Sequence, residues 1–359
     1  MPLPCRQQLR PGPNRQRLRQ LGSTKKRKKG YAPSTRPLVK GSNLCFLFVK
    51  HKYTNSFRVP CSLLIISYSG SAPHRPRRPR HATSPPPGGD QSAIAPMPLP
   101  TMTHSSSFLL PSPPAEAAAA ADAVAYAVIV LNQRLPRFAS LLWTRAQLRV
   151  CADGGANRLF DGMPELHPGE DPDEVRARYK PDAIKGDMDS IRPEVKEFYS
   201  NLGAKIVDES HDQDTTDLHK CISFITRNPP GPDKANLCIL VLGALGGRFD
   251  HEMGNINVLY RFSNIKIILL SDESLIFLLP KTHNHEILVD QSIEGPHCGL
   301  IPMGMPSSSS TTTGLRWNLD NTSMSYGGLV STSNIVDDKK VMVTSDSDLI
   351  WTISLRNHT

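Results

Sequence analysis

The sequence has no acidic residue before Asp90, while residues 1 to 81 carry 19 Lys and Arg. The formal net charge of +9 therefore belongs to that segment: the other 23 Lys and Arg stand against all 33 Asp and Glu, a formal −10. An acid-free stretch rich in Pro, Ser and Arg, with KKRKK at 25–29 and PHRPRRPR at 73–80, buries too little apolar surface to offset its chain entropy. A disordered basic extension is expected over residues 1–120. Organellar targeting, nuclear import, nucleic-acid contact and leader sequence outside the natural product are all open readings of it. Met97 and Met102 stand just ahead of the ordered pattern, and residues 1–96 are expected to be dispensable.

Other absences narrow the class. The apolar runs LCFLFV (44–49) and CSLLIISY (61–68) fall far short of the roughly 20 residues that a spanning helix needs, so no membrane span is expected. Seven cysteines are odd in number, scattered and without a Cys-x-x-Cys pair, so neither a disulfide framework nor a zinc site is suggested; a reducing compartment fits, and the cytosol is expected. No glycine loop ends in Gly-Lys-Ser/Thr, and no nucleophile elbow occurs, so neither a Walker A nucleotide site nor acyl transfer is supported. His283 and His285 in HNHE alternate on a strand but lack a third metal ligand, so a surface strand is expected there.

From about Ala125, short β-rich apolar runs alternate with helical spacing. The runs are AYAVIVL (125–131), LRVCA (148–152), DAIK (182–185), AKIVD (204–208), NLCILVL (236–242) and IKIILL (265–270). This predicts an α/β domain over 121–271, a mainly parallel sheet with helices on both faces. Leu218, Cys221, Ile222 and Ile225 mark one helix face that Thr215 or Thr216 can cap. After Ser271 the texture changes to short strands broken by Gly, Pro, Ser and Asn, including GLRWNLD and SYGGLVS, and a small antiparallel β-sandwich is expected over 272–359. SSSSTTT (307–313) reads as a loop.

The polar motifs fall at strand ends. ADGGAN (152–157) follows the second strand, GDMDS (186–190) the third, DESHDQDTTD (208–217) the fourth and GALGGRFDH (243–251) the fifth. In an open parallel sheet the carboxyl ends of the strands form the ligand crevice. Asp187 and Asp189, two apart on an extended strand end, can share a divalent cation, and Asp214 and Asp217 from the next loop strengthen that reading. Open coordination sites favour magnesium shared with a phosphate chain. In GALGGRFDH the glycines let backbone N–H groups approach an anion, and the Arg248 guanidinium can grip phosphate oxygens. Asp153, with the backbone at Gly154 and Gly155, reaches the same edge, although a tight strand-to-helix turn explains those glycines equally well.

Taken together, CADGGANR, KGDMDSIRPEV, DQDTTDLHKC, GGRFDH, CGLIPMG, TTTGLRWNLDN and LVSTSN resemble the eukaryotic thiamine pyrophosphokinase family in its plant form, from about Ala125 to the C-terminus. The resemblance implies transfer of the diphosphate group of ATP to the hydroxyl of thiamine, giving thiamine diphosphate and AMP, with Mg²⁺ required. It implies a homodimer whose active site is shared between subunits, with ATP on the α/β domain and thiamine against the β-sandwich. Under it, Asp187, Asp189 and Asp217 become metal and catalytic carboxylates, with Asp214 a further metal ligand and Gln213 at the reacting hydroxyl. Asp153, Gly154, Gly247, Arg248 and Asp250 fall at the nucleotide, and Trp317, Ser333 and Asn334 at the thiamine pocket. The indole of Trp317 suits a permanent thiazolium cation, although alternation in GLRWNL also fits a core position.

Two rivals account for less. A metal-dependent glycosyltransferase explains GDMDS and leaves DQDTTD and GGRFDH idle. A nucleic-acid-binding protein rests on the basic extension alone, would bind with a steep salt dependence, and leaves every strand-end motif unexplained.

Overall fold

The computed structural model describes residues 98–112, 124–231 and 236–356. The disorder expected for residues 1–97 lies outside them. In chain order the first elements are β1 (Thr101–Ser105), a 3₁₀ turn (Ser107–Leu109), β2 (Ala125–Val130), α1 (Ala139–Arg145), β3 (Leu148–Ala152), α2 (Gly155–Leu166) and α3 (Pro172–Arg178). There follow β4 (Ala183–Gly186), α4 (Pro193–Asn201), β5 (Lys205–Asp208), α5 (Asp217–Arg227), β6 (Leu237–Leu242), α6 (Phe249–Arg261) and β7 (Lys266–Leu270). The last part is all strand: β8 (Ser274–Leu279), β9 (Asn284–Leu288), β10 (Glu294–Ile301), β11 (Ser307–Thr313), β12 (Thr322–Met324), β13 (Ser331–Ile335), β14 (Lys340–Ser345) and β15 (Leu349–Leu355).

Strands β2 to β7 pair in parallel in the order β7-β6-β2-β3-β4-β5. Apolar runs such as LCILVL form central strands because both faces are covered. Val128, Val130, Leu240 and Leu242 pack with α1, α2 and α4; Ala127, Ile129, Ile239 and Val241 pack with α5 and α6. Pro172 and Pro193 start α3 and α4 at positions where the missing N–H costs nothing. Among the described residues, no helix is long and apolar enough to cross a membrane.

The sandwich is not separate from this sheet. β8 pairs antiparallel with β7, and β15, β10 and β13 continue outward to make ten strands, so the sheet runs through position 271. The facing sheet has the order β1-β9-β14-β11-β12.

Four expectations are corrected here. The extension read as reaching residue 120 ends earlier, because Thr101–Ser105 joins β9 in parallel and completes the facing sheet. Its His104 is buried, stacks on Phe277 at 4.5 Å between centroids and hydrogen-bonds His285 at 3.1 Å. The strand carrying His285 is therefore a core strand, not a surface one, and burial holds both imidazoles below their usual range. SSSSTTT is strand β11, since Ser307, Ser310 and Thr312 point inward and the hydroxyls of Ser307, Ser310 and Ser345 bond one another. GLRWNLD and residues 325–330 are turns, because Gly314 has φ +83° and the Asn318 side chain folds back on Leu315 through two hydrogen bonds.

Burial pushes the Glu294 carboxyl up to about 7, away from the crevice. The folded chain thus holds its proton more readily than the unfolded one, so this contribution is present below the ordinary carboxyl range and is lost as pH rises through about 7. Glu294→Gln keeps an acceptor for the Asp290 N–H, bonded at 2.7 Å. It should remove a fall in melting temperature of roughly 5 °C between about pH 5 and pH 8, measured by thermal denaturation at both pH values.

Candidate active site

The strand order reverses between β2 and β6, and a cavity of about 320 Å³ opens at the carboxyl ends there. Its walls come from the loops after β2, β3, β4 and β6 and from the starts of α5 and α6, including Asn132, Gly154, Asp187, Asp217, Gly246 and Asp250.

Asp153 ends β3 with φ 41°, and Met188 sits between Asp187 and Asp189 with φ 64°. Left-handed backbone at non-glycine residues costs about 1–3 kcal/mol and concentrates at functional sites. Asp153 is 1% exposed, and its two oxygens accept the N–H groups of Ser190 at 2.9 Å and Ile191 at 3.0 Å. That clamp shapes the loop carrying Asp187 and Asp189. Ligand oxygens of Asp153, Asp187 and Asp189 lie within 4.8 Å of one another. Burial, reinforced by Asp189 and Asp187, raises the Asp153 carboxyl against the pull of the two N–H groups. Asp187 Oδ1 is buried with no hydrogen-bond partner. An orphaned carboxylate oxygen inside a carboxylate cluster fits a divalent cation.

Asp217 opens α5, where the Thr216 hydroxyl caps the His219 N–H at 3.3 Å. Burial first, then Asp187 and Asp153, push its carboxyl up to about 6. Gly186 makes room for this convergence: a Cβ there would lie 2.7 Å from Asp153 Cβ and 3.1 Å from Asp217 Oδ1. Across the cavity, Gly243, Gly246 and Gly247 all have positive φ, and a Cβ on Gly247 would sit 2.6 Å from Gln133 Nε2. Asn255 fixes this loop through the Ala244 carbonyl at 2.8 Å.

The remaining sequence candidates fall in three places. Of the four carboxylates expected to hold metal, Asp214 and Asp217 both stand outside the three-aspartate cluster; Asp214 is exposed with its N–H on Asp212 at 3.0 Å, whereas Asp217 lines the cavity. Gln213 is also exposed, donating to the Ser210 carbonyl at 2.9 Å. Arg248 is 69% exposed and paired through its guanidinium with Asp250, which lines the cavity. In the sandwich, Trp317 is 58% exposed and so is not a core residue. The buried Asn334 side chain accepts the Trp317 N–H at 3.2 Å and donates to the Trp317 carbonyl at 2.8 Å. Ser333 is exposed with φ 56°.

Sequence reasoning missed Asn132 and Gln133. They follow the first strand as the other motifs follow theirs, so the strand-end rule applied to β2 would have found them.

The family model for the thiamin pyrophosphokinase catalytic domain matches residues 139–269, and that for the thiamin pyrophosphokinase vitamin B1 binding domain matches residues 284–350. Over 233 residues, 65% of this chain and 88% of the relative, the sequence is 84% identical to thiamine pyrophosphokinase 1 of Oryza sativa subsp. japonica. It is 62% identical to thiamine pyrophosphokinase 1 of Arabidopsis thaliana over 231 residues, 64% of this chain and 86% of the relative. The fold is similar to the crystal structure of yeast thiamin pyrophosphokinase, with a TM-score of 0.59 and 26% identity over 72% of this chain and 91% of that one.

Proposed function

Because the chain belongs to the thiamine pyrophosphokinase family, we propose that the crevice between β2 and β6 is where ATP and thiamine react, with Asp187 and Asp189 at its centre. The protein transfers the diphosphate group of ATP to the thiamine hydroxyl, giving thiamine diphosphate. The observation carrying the site assignment is the convergence of Asp153, Asp187 and Asp189 around an orphaned carboxylate oxygen at the strand-order reversal.

Asp187 and Asp189 would hold Mg²⁺, with Asp153 and Asp217 beside them, and the ion would neutralise charge on the phosphate chain. The chain's own groups do the rest. The loop at Gly243–Gly247 would present N–H groups to the phosphates, the Gly246 N–H exchanging the Glu252 carboxylate, and Arg248 exchanging Asp250, for phosphate oxygens. The thiamine oxygen bonds to the β-phosphorus as the bond to the bridging oxygen of AMP breaks, and the hydroxyl proton leaves to a neighbouring acceptor. By the family resemblance Gln213 would contact that hydroxyl, its amide exchanging the Ser210 carbonyl for the substrate. Positioning of two charged reactants supplies much of the acceleration.

Thiamine binds against Trp317, Ser333 and Asn334, in a homodimer that shares its sites between subunits. The indole is 58% exposed on one protomer, with the Arg316 guanidinium 6.0 Å from its ring centroid, and this open surface supports the reading. Trp317→Ala should raise KM for thiamine by roughly 2- to 30-fold with little change in melting temperature, the range expected for a cation on an indole face. Steady-state kinetics at saturating ATP check it. The working compartment is the cytosol, consistent with Cys151, Cys221, Cys238 and Cys298 being buried and unpaired.

The test of function is AMP release from ATP and Mg²⁺, with and without thiamine, by the chain beginning at Met97. A start at Met102 would remove part of β1. AMP and thiamine diphosphate should appear in equal amounts, only with thiamine, and chelation of the metal should stop both. ADP as the product would overturn the reading.

A further inference from the structure

Lys220 is an unexpected residue in its position. Its side chain is 2% exposed, one turn into α5, close to the helix end where aligned peptide dipoles disfavour a cation. A buried ammonium is costly without paired charge. Its Nζ lies 3.8 Å from Asp217 Oδ1, and Asp217 in turn interacts electrostatically with Asp187, Asp153 and Asp189. The neighbouring buried lysine, Lys185, is balanced differently: its ammonium pairs with Glu209 and lies 5.5 Å from the Phe224 ring centroid. Lys220 instead pairs with Asp217, the aspartate that adjoins the cluster.

We propose that Lys220 is a positioning residue, a built-in counter-ion that holds Asp217 against Gly186 and keeps the four carboxylates together until the metal and nucleotide arrive. It acts through Asp217 and touches no reacting atom. This rests on the reading of the aspartates as a Mg²⁺ site, and it makes Lys220 and the divalent ion alternative counter-charges for the same carboxylates. Loss of one should increase the effect of the other.

The experiment is thermal denaturation without nucleotide, in EDTA and in millimolar MgCl₂, for wild type, Lys220→Met, Lys220→Arg and the double variant Asp217→Asn/Lys220→Met. In EDTA, Lys220→Met should melt roughly 5 to 10 °C lower, and the double variant should regain most of that, because the carboxylate needing compensation is gone. Mg²⁺ should raise Lys220→Met more than wild type, and Lys220→Arg should respond as wild type does. A packing role would move Lys220→Met equally with and without Mg²⁺ and would leave the double variant as unstable as the single one; either result overturns the proposal. If the single variant does not fold, failure of the double variant to fold also overturns it. If the double variant recovers but Mg²⁺ shifts no protein, the counter-ion role stands and the metal reading falls.

Discussion

Asp189→Ala is expected to leave the melting temperature within about 1 °C of wild type while cutting thiamine-dependent AMP release by roughly 100-fold or more. The two halves have separate causes. Asp189 is exposed, and the hydrogen bond its side chain accepts is from the adjacent Ser190 hydroxyl at 2.8 Å, so little of the fold depends on it. The clamp that shapes its loop is Asp153, which the substitution leaves in place. Removing one of three carboxylates whose oxygens lie within 4.8 Å deprives a shared cation of a ligand and weakens charge neutralisation where transition-state charge develops. Near-normal turnover would sink the assignment of Asp189. Loss of folded protein would mean that the loop needs that carboxylate structurally.

Gly155→Ala is expected to act in the opposite way, through stability. Gly155 opens α2, and an added Cβ would lie 2.0 Å from the Val130 carbonyl oxygen and 3.2 Å from the Leu131 carbonyl carbon. Both contacts are backbone at the carboxyl end of β2 and the residue after it, so no side chain can turn aside, and the helix must lift from the central strand. Overpacking of this kind costs about 3 kcal/mol, or roughly 6–12 °C in melting temperature for a domain of this size. Asn132, Gln133 and Asp153 sit on the segments forced apart, so activity should fall before the protein unfolds. A melt unchanged within about 2 °C would show that β2 and α2 tolerate the displacement.

These two residues, thirty-four apart, show what could be read without coordinates. The Gly-Gly of ADGGAN left two explanations open, ligand approach and tight packing. In the fold, Gly155 is explained by packing on Val130, while Gly154 lines the cavity, where a Cβ would meet Asn132 Nδ2 at 2.5 Å. Strand β11 was hidden for another reason: its inward positions are hydroxyls that satisfy one another, so no apolar alternation marks it. Strand β1 was hidden because five residues beside a Pro-rich stretch carry almost no pattern until β9 is available to pair with them.

By itself the sequence determined the class of the molecule and of its chemistry. Short continuous apolar runs alternating with helical spacing impose a layered α/β arrangement, and Asp- and Gly-rich segments directly after such runs must emerge at one edge. Only the tertiary structure decided which of those residues meet. The reversal of strand order between β2 and β6 opens the crevice, and Gly186 lets Asp217 close on Asp153 and Asp187. The turn held by Asp212 leaves Asp214 in solvent, and the buried Lys220 ammonium pairs with Asp217. Local pattern states what each segment can bury, whereas convergence depends on pairings between segments far apart in the chain, whose free energy no local window contains.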